Sequence, residues 1–317
     1  MKLVAAFGNT SIGLDFGRIA KLVGGLEEVG FDGVSTNDHV IGADPDRSDG
    51  VTMNTVHTAV HEPIVLLSMI AAVTQRLELV TSILISPQRQ TVLLAKQTAQ
   101  LDLLSKGRLR LGVGVGRNWI EYESLGEDFT TRGRRMEEQV EVLRLLWGND
   151  LVTYDGRFHQ LDRVGINPRS VRDSIPIWMG SYGQVVHEPV LERIGRMADG
   201  WMPQFPPDVL APLLKRVRGY AEGAGRDPNA IGVECSVRAD AEGCPGEWRR
   251  VAEEYQVLGA THLKASTPMT VGVGVNEQLD VLSTWYEAVA PVVGDSHAEP
   301  GGPRDAQHTR NKNGEDR

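Results

Sequence analysis

Residues 77–119 constrain the fold more than any other stretch of this chain. Residues 77–85 (LELVTSILI) are apolar without alternation, as expected of a strand buried on both faces, and residues 108–115 (RLRLGVGV) read the same way. Residues 90–104 between them have the length and apolar content of a helix. Two buried strands joined by a helix predict a βαβ crossover, hence a parallel sheet covered on both faces. Gly112, Gly114 and Gly116 punctuate the end of the second strand. Parallel α/β folds place their ligands at such strand ends.

The same alternation runs through most of the chain. Residues 2–7, 33–36, 175–179, 199–202, 231–237 and 261–265 read as further strands. Between them lie amphipathic stripes such as Ile19, Leu22, Val23, Leu26 and Val29, or Met136, Val140, Leu143 and Trp147. A strongly apolar helix is expected from Pro63, and a last one carries Leu279, Leu282, Tyr286 and Val289. Eight strand–helix units predict an α/β fold closed into a (β/α)₈ TIM barrel rather than an open sheet. Two insertions stand outside the minimal barrel. Residues 42–60, after the second strand, are polar, and residues 151–161, between strands four and five, read as a β-hairpin turning at Asp155 and Gly156. One domain is expected over residues 1–293. Residues 294–317 contain no Val, Ile, Leu, Met or aromatic residue and are expected to be disordered.

Composition narrows the function. The formal charge of −9 argues against a nucleic-acid binder, whose usual footprint is basic. No apolar run is long enough to span a bilayer. The N-terminal MKLVAAFG is strand-like and too short for a signal peptide, and Cys235 and Cys244 lack CxxC spacing. A cytoplasmic protein with reduced thiols is expected.

Several residue groups are candidates for chemistry. The glycine run 112–116 lacks GxGxxG spacing, so a Rossmann fingerprint is not indicated; it either lets a ligand approach the backbone or makes a tight strand–loop bend. Asn37, Asp38 and His39 directly follow the second strand, where barrel enzymes carry catalytic groups; the alternative is a polar loop start. His57 and His61 are four apart, but Pro63 places the helix start after them and no third metal ligand is evident. Gly180 and Ser181 end a strand just before a helix, which suggests an anion site on free N–H groups or an N-cap at Ser181. Cys235 reads as a small buried hydrophobe.

These pieces, in order, resemble the luciferase-like monooxygenase superfamily, specifically its coenzyme F420-dependent oxidoreductases. The matching segments are EVGFDGV (28–34) with Asp38 and His39, and His61-Glu62-Pro63. LVTSI (79–83), LAKQ (94–97), LDLLSKGRL (101–109) and GVGVG (112–116) follow, then Glu121, Gly126, Arg132, Leu143, Leu146 and Trp147. IWMG (177–180) and ADGW (198–201) complete the set. The resemblance implies a deazaflavin or flavin ring in the C-terminal mouth of a TIM barrel. It also implies a non-prolyl cis peptide between Ser82 and Ile83, a pair placed against that ring. Asp38 and His39 match the family's acid-plus-histidine pair, with His39 handling the proton and Asp38 helping to set its charge. Gly114, Gly116, Asn118 and Glu121 match the region that contacts the ring or its ribityl chain, and Gly180 and Ser181 the phosphate loop. Arg117 stands where many relatives carry an aromatic residue. The implied function is F420-dependent hydride transfer involving a small organic substrate. The alternative is an FMN-dependent monooxygenase that uses O₂ and a partner reductase, since ring position 5 is carbon in one cofactor and nitrogen in the other. A non-catalytic flavin-binding protein is the reading from another class. A homodimer is expected in either case, and no metal.

Truncation after Gly294 is expected to leave the thermal unfolding midpoint unchanged, measured by circular dichroism. A clear fall in that midpoint would show that the tail packs on the domain.

Overall fold

The structure is a computed structural model and describes residues 1–7, 15–47, 54–182, 186–267 and 274–294. Residues 295–317, on which the expectation of a disordered tail falls, lie outside the described residues, as does part of the insertion at 42–60. β1 (Lys2–Ala6) leads to α1 (Phe16–Val29), and β2 (Gly33–Thr36) leads to α2 (Pro63–Val73). β3 (Glu78–Thr81) and its short continuation β4 (Leu84–Ile85) precede α3 (Thr91–Leu104). β5 (Leu109–Gly114) is followed by the short α4 (Trp119–Ser124) and by α5 (Arg132–Gly148). The inserted hairpin of β6 (Val152–Asp155) and β7 (Gln160–Val164) precedes β8 (Ile177–Ser181) and α6 (Glu188–Met197). β9 (Gly200–Pro203), α7 (Pro207–Gly223) and β10 (Gly232–Arg238) come next, then α8 (Pro245–Val257), β11 (His262–Ser266) and α9 (Val275–Val293).

Local chemistry sets the helix ends. The Asp15 side chain accepts from the Arg18 N–H at the start of α1, and Gly30 ends that helix at φ 112°, a left-handed conformation that glycine adopts without penalty. Pro63 opens α2, where its missing N–H is no loss.

The strands pair in parallel in the ring order β1, β2, β3, β5, β8, β9, β10, β11, and β11 returns to β1. The sheet is therefore a closed (β/α)₈ barrel, as expected, with the hydrophobic core between strands and helices. The sequence run 77–85 is not one strand: β3 stops at Thr81, and a cis peptide bond joins Ser82 to Ile83 before β4 begins.

The barrel interior holds a second, smaller set of side chains. Val4, Val80, Trp178 and Met202 pack together there. Trp178 occupies space that Gly200 and Gly232 leave free; a Cβ on either would lie 2.2 or 2.4 Å from its indole ring. Charges share this interior. Arg110 donates to Glu78 at 2.8 Å and to Glu234 at 2.7 Å, and its guanidinium lies 4.4 Å from the Trp178 ring. The His262 ring meets the other indole contact edge-on, 4.8 Å between centroids.

Burial, together with the nearby positive charge of Arg110, pushes the His262 imidazole down to about 3 from its ordinary 6.5. Below pH 6.5 the unfolded chain takes up a proton that the folded chain refuses, so stability falls until about pH 3. The slope from this one group is about 1.4 kcal/mol per pH unit. His262→Phe is expected to lose less stability than the wild type between pH 7 and pH 5 in urea titrations, and parallel losses would contradict the assignment.

Candidate functional site

The C-terminal end of the barrel gathers the polar residues singled out in the sequence. His39 follows β2, and its Nδ1 lies 2.9 Å from Oε1 of Glu121 on α4. The Glu121 carboxylate is fully buried, whereas the His39 side chain keeps 18% exposure. The second oxygen of Glu121 accepts from Nε2 of Gln88 at 3.0 Å. The result is a chain of three side chains, His39–Glu121–Gln88, drawn from three different βα connections.

Asp38 turns elsewhere. Its Oδ2 accepts the Ile85 N–H at 2.9 Å and its Oδ1 accepts from Arg89 at 2.9 Å, while Arg89 also donates to Glu62 at 2.7 Å. Burial holds the Asp38 carboxyl above the usual range, and the Arg89 charge and the Ile85 N–H oppose that rise. The carboxylate that faces His39 is thus Glu121, while Asp38 ties the end of β2 to β4.

Ser82 and Ile83 fill the gap between β3 and β4. Ser82 Oγ accepts from Lys264 Nζ at 2.8 Å. Ile83 packs where Gly114 and Gly180 have no side chain: a Cβ on either would lie 2.6 Å from an Ile83 methyl carbon. Gly116, at φ 62°, stands against Ile85. The glycine run therefore makes room for the side chains of the strand-three break. Asn118 caps α4, its Oδ1 accepting from the Ile120 N–H at 3.2 Å. Ser181 is the last residue of β8, and its Oγ accepts from Trp201 Nε1 at 2.8 Å. It does not cap the following helix, because α6 begins at Glu188 with His187 as N-cap. The helix starts later than the sequence pattern suggests, and residues 183–185 lie outside the described ones.

Several buried polar atoms near this end have no hydrogen-bond partner among the described residues, among them Nδ2 of Asn118, Oε1 of Gln88, Oγ of Ser86 and Nε of Arg89. The Asn118 atom is a donor and the Gln88 atom an acceptor. His61 packs edge-on against Phe7 at 6.1 Å. Cys235 is buried on β10, and burial pushes its thiol up.

Gln88, Arg89 and Lys264 were not among the residues chosen from the sequence. Lys264 had a visible signal, since a lysine within a strand otherwise read as fully buried must meet a partner inside the barrel. Gln88 and Arg89 had none.

A closed parallel barrel with a histidine–carboxylate pair at its strand ends is a TIM barrel whose polar side chains gather at the end where that fold carries its sites. The luciferase-like monooxygenase model matches residues 3–291, and the chain belongs to that family. An F420-dependent glucose-6-phosphate dehydrogenase of Nakamurella multipartita is 32% identical over 234 residues, 69% of this chain and 63% of that one. Among solved structures, the monooxygenase RslO1 of Streptomyces bottropensis superposes with a TM-score of 0.72 at 20% identity, covering 92% of this chain and 99% of its own. An F420-dependent secondary alcohol dehydrogenase in complex with an F420–acetone adduct gives 0.71 at 20% identity, covering 93% and 100%. At those identities the two structures speak for the fold. No described helix is long and apolar enough to cross a membrane.

Asp38→Ala leaves the buried Ile85 N–H without its acceptor and Arg89 with Glu62 alone. It is therefore expected to lower unfolding stability by about 1–3 kcal/mol in urea titrations, the usual cost of an unsatisfied buried donor. A change within the error of the titration would show that Asp38 does not hold β4.

Proposed function

We propose that this chain is an oxidoreductase that transfers hydride between coenzyme F420 and a small organic substrate. The observation that carries the reading is the His39–Glu121–Gln88 chain at the C-terminal end of the barrel. The resemblance to an F420-dependent dehydrogenase over 234 residues supports the choice of cofactor. The donor and acceptor left open on Asn118 and Gln88 fit a ring that carries both N–H and carbonyl groups. When bound, the deazaflavin would supply a carbon that accepts or gives hydride. Ser82 and Ile83 would lie against the ring, with Gly114, Gly116, Asn118 and Glu121 along one side. Gly180 and Ser181 would lie toward its phosphate.

The protein's own part is proton handling and positioning. Glu121 accepts from Nδ1–H of His39, which fixes the tautomer and leaves Nε2 to take a proton. His39 Nε2 has no hydrogen bond to the described residues, and the ring keeps partial exposure. When an alcohol carbon gives up hydride, its hydroxyl must lose a proton, and Nε2 receives it; in the reverse direction Nε2 returns it. Gln88 holds the far oxygen of Glu121 so that the carboxylate cannot rotate away. Asp38 acts at a distance, by keeping the segment that carries Gln88 against β2. A homodimer in solution belongs to the same proposal.

Equilibrium titration against both cofactors separates this reading from an FMN-dependent monooxygenase with a partner reductase. Micromolar or tighter binding of F420 with weaker binding of FMN is expected, and binding of FMN alone would overturn the proposal. With an alcohol found by screening against F420, His39→Ala is expected to cut turnover by about 10²–10⁴ while leaving the cofactor dissociation constant within a few-fold. Near-normal turnover would assign the proton to another group.

A further inference from the structure

Lys264 is the member of the interior charge cluster closest to the strand-three break. β11 and β3 are not neighbours in the ring, since β1 and β2 stand between them. The 2.8 Å bond from Lys264 Nζ to Ser82 Oγ therefore crosses the barrel interior. The lysine side chain is 9% exposed, and its nearest carboxylate oxygen, Oε1 of Glu234, is 3.6 Å away, beyond hydrogen-bond distance. The other oxygen of Glu234 is taken by Arg110 at 2.7 Å. The lysine thus balances the charge of Glu234 without hydrogen-bonding to it and directs its hydrogen bond upward to a neutral serine.

That choice of partner has a chemical consequence. A serine hydroxyl carries one proton and two lone pairs. With an ammonium donating to its oxygen, the Ser82 O–H is polarised and becomes a stronger donor. Ser82 Oγ makes no second hydrogen bond to the described residues. We propose that Lys264 is a positioning residue that acts through Ser82, fixing its hydroxyl as a donor to an electron-rich oxygen or nitrogen of the ring bound in the barrel mouth. Adding hydride to a ring transfers two electrons with one proton, so the ring gains one unit of negative charge until a further proton follows. A donor backed by a buried ammonium binds the ring more tightly after that gain than before it. Lys264 thereby biases the site toward the reduced form of its ligand, which rests on the hydride-transfer reading above.

The test is anaerobic equilibrium titration of the full chain with the oxidised and the reduced form of whichever cofactor, F420 or FMN, the wild type binds. Lys264→Met is expected to weaken the reduced form about tenfold more than the oxidised form, the size usual for loss of a charge-assisted hydrogen bond. Ser82→Ala should reproduce that bias, and the double variant should add little to either single one, because both act through one bond. Thermal melts establish that each variant is folded; should Lys264→Met fail to fold, Ser82→Ala carries the same comparison. A purely structural lysine would weaken both forms equally, and that result overturns the inference while leaving the hydride-transfer reading intact. A wild type that binds neither cofactor overturns that reading, and this inference falls with it.

Discussion

The packing of Ile83 at the break in strand three is the contact on which the site depends. Its side chain sits in space that exists because Gly114 and Gly180, on the two strands that follow, carry no Cβ. Any larger residue at either position would drive the break outward, since overpacking in a filled core forces backbone shifts. With Ile83 seated, Ser82 reaches Lys264 across the barrel, and the chain resumes as β4 with its Ile85 N–H aimed at Asp38. The turn after β4 then carries Gln88 to Glu121, and Glu121 meets His39. The steps are short hydrogen bonds between strands and βα connections, so a displacement at Ile83 would be felt at the imidazole.

The interior charges are the second condition. An ion moved from water into a protein interior costs several kcal/mol unless partners replace the lost solvation. Arg110 and Glu234 are both almost wholly buried, and the partners are there: Glu78 and Glu234 for the guanidinium, Arg110 and Lys264 for the Glu234 carboxylate. Burial alone would raise the Glu234 carboxyl, yet the two cations hold it below the usual range. Nη1 of Arg110 has no hydrogen-bond acceptor among the described residues, and the Trp178 ring face supplies the remaining attraction. Trp178 in turn needs the bare backbones of Gly200 and Gly232. Polar and apolar halves of the barrel interior are thus built around one indole.

How much of this the sequence disclosed follows from range. β2 falls on the residues read from it, 33–36, and α2 begins at Pro63 as read, because a proline-headed apolar helix is a local signal. The ring of eight strands was legible because periodicity repeats from unit to unit. α4 was not foreseen, since six residues give too few turns for a periodic pattern. The partner of His39 was not legible either: Glu121 lies 82 positions away, and nothing local distinguishes it from Asp38, the immediate neighbour. The glycine run was visible, but the side chains that occupy the space beside Gly114 and Gly116, Ile83 and Ile85, were not. The strand–turn–helix pattern at Gly180 and Ser181 misled on the cap, because the helix begins only at Glu188, with His187 as its N-cap.

The inserted hairpin of β6 and β7 would pass in the sequence for a surface ornament, yet its contacts lead to the same place. His159 lies 2.8 Å from Glu138 of α5 through Nδ1 and meets the Thr91 hydroxyl through Nε2. Gln139, the next residue of α5, places its side-chain nitrogen within 3.1 Å of the Ser86 carbonyl, 3.0 Å of the Arg89 carbonyl and 3.0 Å of Thr91 Oγ1. Those acceptors flank Gln88, the residue that steadies Glu121. The hairpin and α5 therefore clamp, from outside the barrel, the segment that the Asp38–Arg89 pair clamps from inside. A side chain held from both directions loses little further freedom when a ligand arrives, which is the condition for a preorganised polar site.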